Sequence, residues 1–201
     1  MVRLLIPIYF DYASTLCYIA WRIIGELRLE LEFEPLRKGI PIRWRNYSNR
    51  PGNALGTLER AKIANVIVET GVQVSPPQCW IDSDAALMGS ELARQAGVFD
   101  AFHDSVFRNA FELGQDISRL DRLSEIAAAA GMQRDIFQRA IEQRLTMAQL
   151  IANKSEADQF SAIGYPSFIL GEFPLTGIQP KETMRLLLSR FLSQRRFAPQ
   201  A

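Results

Sequence analysis

An apolar run, Leu4 to Phe10, leads through Asp11-Tyr12-Ala13 into Ser14-Thr15-Leu16-Cys17, where a helical pattern begins. Ser14 is a good N-cap, and Cys17, Ile19, Ala20, Ile23, Ile24 and Leu27 follow with helical spacing. Leu29-Glu30-Leu31-Glu32-Phe33-Glu34-Pro35-Leu36 then alternates apolar and charged residues. That alternation predicts a half-buried strand, ended by Pro35. The chain therefore opens β-α-β, a unit whose parallel crossover is right-handed by default. The first turn of the helix also presents free N–H groups and the positive end of the dipole, a setting that favours thiolates.

The rest of the chain is ordered differently. Gly39 to Gly56 is rich in Pro, Gly, Asn and Arg and predicts a loop. Thr57 to Thr70 predicts a helix with Ala61, Ala64, Ile67 and Val68 on its inner side. Pro76-Pro77 keeps Gly71 to Trp80 out of any helix. From Asp82 to about Ala162 the pattern is helical almost throughout, capped at its start by Ser83 or Asp82 and punctuated by Gly97, Gly114 and Gly131. Gly164 to Gly171 returns to a strand pattern, Gly171-Glu172 is a turn, and Phe173 to Leu175 completes a hairpin. Pro180 suits position N1 of a last helix running to about Phe191. The fold class is thus α/β, with residues 1–40 and 163–197 forming one small mixed domain and 57–162 an all-helical insertion within it.

Composition narrows the function classes. A net charge of +1 gives no global pull toward nucleic acid or an anionic membrane. No apolar run approaches the roughly 18 residues of a membrane span, and Pro7, Asp11 and Ser14 break the N-terminal run before it could serve as a signal peptide. With two cysteines, Cys17 and Cys79, a cytoplasmic protein with free thiols is expected, a Cys17–Cys79 bridge being the minor alternative. A single histidine, His103, and the lack of any Cys-x-x-Cys pair argue against zinc and against a Ser-His-Asp or Cys-His triad.

Read from the residues alone, Ser14 is either a helix cap or a cap that also binds a thiol. Cys17 lies on the apolar stripe, either as a buried structural thiol or as a lone thiol activated by the helix end. Cys79, beside Pro77 and Trp80, reads as incidental, and His103 as a partly buried helix residue. Asp11 lies just before the helix and can serve it electrostatically. Arg37, Lys38, Arg43, Arg45 and Arg50, with Trp44 and Tyr47, form a basic stretch that reads as a solvated loop and would also suit a ligand bearing carboxylates.

The order β-α-β, helical block, β-β-α resembles the thioredoxin fold of the DsbA-like family, which carries a helical insertion at this place. Tyr9-Phe10-Asp11 with Ser14-Thr15-Leu16-Cys17-Tyr18-Ile19-Ala20 occupies the position of that family's Cys-Pro-Trp-Cys-Tyr motif. Gly164-Tyr165-Pro166-Ser167-Phe168 is similar to its Gly-Val-Pro-Thr-Phe, whose proline is cis and faces the active site. Thr176-Gly177-Ile178-Gln179-Pro180, Ala93-Arg94-Gln95-Ala96-Gly97 and Phe102-His103-Asp104 with Phe107 resemble the FrnE-like branch.

The resemblance places the family's nucleophilic cysteine at Ser14 and its second cysteine at Cys17. A serine cannot form the disulfide, so the dithiol cycle, in which the second sulfur resolves the mixed disulfide, is absent. A related group, the kappa-class glutathione transferases and 2-hydroxychromene-2-carboxylate isomerases, keeps a Ser-Pro version in which the serine hydrogen-bonds the glutathione thiolate. Here Thr15 replaces that proline, and Gly177-Ile178-Gln179 replaces a Gly-x-Asp that helps hold glutathione. The resemblance implies a degenerate Ser-x-x-Cys site of Ser14, Cys17 and Pro166. A thiol-containing small molecule or peptide would bind there with Tyr165 closing the pocket, glutathione being the expected cofactor and no metal being required. The functions implied are a thiol oxidoreductase acting through Cys17, a glutathione-dependent isomerase or transferase using Ser14, or a non-catalytic thiol- or peptide-binding protein. The helical block also leaves room for a homodimer.

Overall fold

The computed structural model describes residues 3–45, 49–162 and 164–196. The elements run β1 (Leu4–Phe10), α1 (Thr15–Glu30), β2 (Phe33–Gly39), a 3-10 turn (Ile42–Trp44), α2 (Thr57–Thr70), α3 (Asp84–Gln95), α4 (Phe99–Phe111), α5 (Leu120–Ala129), α6 (Arg134–Glu142), α7 (Met147–Gln159), β3 (Ser167–Leu170), β4 (Phe173–Thr176) and α8 (Lys181–Arg196). The strands form one sheet in the order β2-β1-β3-β4. β1 pairs parallel with β2, Leu4 opposite Phe33 and Phe10 opposite Gly39, and antiparallel with β3, Ile8 opposite Phe168. The β-α-β start and the terminal hairpin thus share a sheet, and α2 to α7 lie between β2 and β3 in the chain. Because β1 is central, its C-terminal end, where Asp11 and Ser14 follow, is flanked by the end of β2 and the start of β3.

The apolar stripe of α1 is buried as its spacing requires, from Leu16 and Cys17 to Leu27. An aromatic cluster joins this helix and β1 to α4. Phe107 meets Tyr12 at 4.9 Å and stacks on Trp21 at 5.7 Å, and Phe10 meets His103 at 4.8 Å. Such pairs add about 0.5–1.5 kcal/mol each beyond area burial. The helical block is also tied to the outer strand. Arg94 Nη2 donates to the carbonyl of Arg37 at 2.5 Å and Asn153 Nδ2 to that of Gly39 at 3.1 Å.

Several elements depart from the sequence-based expectations. The alternating run at Leu29 is not yet strand: α1 continues to Glu30, Leu31 caps it, and Glu32 turns the chain at φ 56°. Pro35 sits inside β2, opposite Ile6, rather than ending it. An outer strand tolerates proline because the missing N–H is not needed by a second neighbour. In α2 the buried residues are Ile63 and Val66, while Ala61, Ala64 and Val68 are exposed. Apolar residues surround that helix, so its period does not select a face. Asp82, not Ser83, supplies the side-chain cap of α3, accepting from the Asp84 N–H at 3.1 Å. Pro180 precedes α8 rather than standing within its first turn, and its carbonyl accepts the Met184 N–H at 3.0 Å.

Candidate functional site at the start of helix α1

Ser14 is the N-cap of α1. Its backbone is extended (φ −97°, ψ 115°), and its Oγ accepts the Cys17 N–H at 3.3 Å. Its own N–H donates to the carbonyl of Asp11 at 3.1 Å, closing the turn that leads out of β1. Ser14 is 5 % exposed.

Cys17 lies further in. It is 2 % exposed, and its Sγ accepts the Asp11 N–H at 3.5 Å. Cys17 is among the residues that line a cavity of about 20 Å³, with Ala20, Ile24, Phe168 and Pro166. That is room for about one water molecule, not for a substrate. Burial pushes the Cys17 thiol up to about 12, outweighing the Ser14 hydroxyl and the Asp11 N–H, which both favour the thiolate, and the nearby Asp11 charge raises it further. Of the two readings of Cys17, the buried thiol is the one that agrees with the structure and the lone helix-activated thiol is the one corrected, because desolvation is the dominant effect there. Cys79 is exposed, and both cysteines are free, so the Cys17–Cys79 bridge is absent.

Asp11 organises the turn. It is fully buried, with Oδ1 accepting the Ala13 N–H at 2.9 Å and Oδ2 the Ile42 N–H at 2.5 Å. Burial raises its carboxyl to about 6, against the Ala13, Ser83 and Ile42 hydrogen bonds that lower it and the Asp84 charge that raises it.

The opposite wall comes from the segment before β3. The Tyr165–Pro166 peptide is cis, and the Pro166 carbonyl accepts the Gly177 N–H at 2.7 Å, fixing this segment to the end of the hairpin. Tyr165 is buried, and its hydroxyl accepts from Arg45 Nε at 3.1 Å. Burial raises the Tyr165 phenol to about 12 despite the Arg45 charge, and the charges of Asp11 and Cys17 add to the rise. Ser14, Cys17, Tyr165 and Pro166 thus gather at one end of the sheet, with Cys17 and Pro166 bordering the same cavity.

The basic stretch is not all a solvated loop: Arg50 is exposed in coil, whereas Arg37, Lys38, Arg43 and Arg45 are tied to the fold. Arg37 and Lys38 belong to β2 and pair with Asp100 (2.6 Å) and Glu156. Arg43 pairs with Asp84, and Arg45 with Asp158 at 2.7 Å. Tyr47 lies outside the described residues. Each of these four cations has a carboxylate partner. His103 is fully buried rather than partly so; its Nδ1 lies 2.9 Å from the Tyr12 hydroxyl, and burial keeps the imidazole neutral. Among the described residues, no group of three or more His, Cys, Asp or Glu side chains could hold a metal ion. Nor, among the described residues, is any helix long and apolar enough to cross a membrane.

The residues that sequence reasoning missed are the partners: Arg43 with Asp84, Arg45 with Tyr165, and Ser83 beside Asp11. Only Asp11 left a signal, as an aspartate placed to accept backbone N–H groups ahead of a helix.

The model of the DSBA-like thioredoxin domain matches residues 5–189. The chain belongs to that family. Relatives of the family resemble it closely in shape and distantly in sequence. The uncharacterized protein YwbO of Bacillus subtilis is 22% identical over 199 residues, which cover 92% of this chain and 95% of YwbO. The probable DsbA oxidoreductase SCO1869 of Streptomyces coelicolor superposes with a TM-score of 0.76 at 18% identity, covering 96% of this chain and 92% of that one. A 2-hydroxychromene-2-carboxylate isomerase gives 0.74 at 15% identity over 98% of this chain and 100% of that one. The cytosolic disulfide reductase DsbM of Pseudomonas aeruginosa, solved with GSH, gives 0.70 at 16% identity over 96% and 100%. The DsbA-like fold is therefore shared with both oxidoreductases and an isomerase.

Proposed function

We propose that this DsbA-like chain binds a small thiol compound, glutathione foremost, with the Ser14 hydroxyl donating to the ligand's sulfur and Tyr165–Pro166 forming the facing wall. The observation that carries this reading is the contrast between Ser14 and Cys17. Ser14 Oγ accepts the Cys17 N–H at 3.3 Å, and its single O–H, which in this structure faces the Cys17 sulfur, can turn to donate to a ligand's sulfur instead. It does so at a helix N-terminus, where a thiolate is favoured. Cys17, the only sulfur of the motif, is sealed and held as a thiol. Chemistry at this position therefore belongs to the sulfur of a ligand, and two-sulfur disulfide exchange has no partner within the motif.

Two neighbours support the choice of ligand. DsbM was solved with GSH, and the isomerase shares the fold over nearly the whole chain. Arg43 and Arg45 at the rim suit a ligand with carboxylates, although each already holds a protein carboxylate. At 5 % exposure, Ser14 meets a ligand only after the rim is displaced, so the affinity carries that cost. A cytoplasmic location, where thiols stay reduced, fits this use. The test is calorimetric titration of glutathione into the wild type and Ser14→Ala. Binding that weakens by tenfold or more in the variant is expected; no binding, or equal affinity in both proteins, overturns the proposal.

A further inference from the structure

Three segments meet at Asp11. Its carboxylate holds the N–H of Ala13 in the turn that ends at Ser14 and the N–H of Ile42 at the start of the strap carrying Arg43 and Arg45. The Ser83 hydroxyl reaches it from the start of α3. Through its backbone the same residue holds the Ser14 N–H and donates to the Cys17 sulfur. The ionisable groups facing it are Asp84 from α3, Arg43 from the strap, Cys17 from α1 and Tyr165 ahead of β3. Arg43, the one cation among these, is committed to Asp84 by two contacts. Asp11 thus carries a buried charge held by neutral donors.

We propose that Asp11 is the positioning residue of the Ser14 site: its ionised carboxylate clamps the Ser14 turn to the Ile42 strap, and protonation opens that clamp. A carboxylate accepts at both oxygens, whereas a carboxylic acid turns one of them into a donor. Protonation therefore sets an O–H against one of the two N–H groups. The Ile42 tie spans separate segments of chain, whereas the Ala13 tie is local, so the Ile42 tie is the one that gives way. Burial brings this titration to about 6, within reach of ordinary solution conditions. The functional side of the inference rests on the thiol-binding reading of Ser14; the clamp itself does not.

The clamp is tested by amide NMR and hydrogen exchange on the wild type between about pH 4.5 and about pH 8. The Ala13 and Ile42 amides are expected to titrate together with a midpoint near 6. After correction for intrinsic exchange, Ile42 is expected to be at least about tenfold better protected above the midpoint than below it. Asp11→Asn is expected to show neither the titration nor the protection. Equal protection of Ile42 on both sides, or an unchanged midpoint in Asp11→Asn, overturns the clamp, and the wild-type data decide even if the variant does not fold. Glutathione affinity, measured on both sides of the midpoint, is expected to be weaker below it. No binding at either pH removes the thiol-binding reading and leaves the amide result to judge Asp11.

Discussion

The sealing of Cys17 has a measurable consequence for its chemistry. At pH 8, a thiol with the ordinary pKa of 9.0 is about one-tenth thiolate; with a pKa of about 12 the fraction falls about a thousandfold. Only the thiolate reacts with alkylating agents, so this factor applies directly to the rate. The cavity beside Cys17 holds about one water and excludes any reagent larger than that, so steric closure slows the reaction further. The assay uses Cys79→Ser, which removes the exposed thiol and leaves Cys17 alone. Iodoacetamide labelling of this variant, followed by mass spectrometry, is expected to run at least about a thousandfold slower in buffer than in guanidinium chloride, where the thiol regains its ordinary pKa. In the wild type, a single label is expected to appear early, at Cys79. Labelling of native Cys79→Ser within about tenfold of the unfolded rate would refute the reasoning, because it would require Cys17 to sit at the surface in its ionised form.

Two further outcomes follow from the packing and from Asp11. Gly89→Ala puts a Cβ 2.8 Å from Phe137 Cζ and 2.9 Å from Phe102 Cζ, both in sealed rings. Overpacking of this kind costs about 1–3 kcal/mol, against about 1 kcal/mol gained in helix propensity, so urea unfolding should show a net loss; a more stable variant would contradict the packing described. Asp11 has its folded pKa raised from 3.8 to about 6, so its favourable contribution is complete below 3.8 and is lost as the pH climbs through 6. At about 1.36 kcal/mol per unit, the stability of the wild type relative to Asp11→Asn should fall by about 2 kcal/mol between pH 4 and pH 7, and a constant difference across that range would count against the buried charge.

The legible parts of this fold are those fixed by local pattern. The stripe from Cys17 to Leu27, the cap at Ser14 and the Gly171-Glu172 turn each carry their own chemistry, and the structure has a helix, a cap and a hairpin there. The illegible parts depend on distant residues. Leu29-Glu30-Leu31 alternates like a strand, yet the helix continues because Leu27 is still buried and the turn comes only at Glu32. Arg43 and Arg45 look like free loop cations until the chain returns with Asp84 and Asp158. At the site, Ser14 and Pro166 were visible as a cap and as a proline in a recognisable setting. The burial of Cys17 was one of two readings of its place on the apolar stripe, since a cysteine one turn into a helix can be open or closed, and the packing decides between them. Phe168 and Pro166, supplied from the far end of the chain, border the cavity beside it.

The two side-chain ties on β2 also bear on the open edge of the sheet. A strand at the rim of a sheet offers a row of unpaired backbone groups, an invitation to any extended chain. On β2, the carbonyls of Arg37 and Gly39 are already taken by Arg94 and Asn153. A third strand approaching from that side would find those acceptors spent and helices α3 and α7 in its path. The other rim, β4, has only four residues, and one of them is Pro174. The helical insertion therefore acts as a selvedge for the sheet: it finishes the long rim, and a short strand with a proline finishes the other.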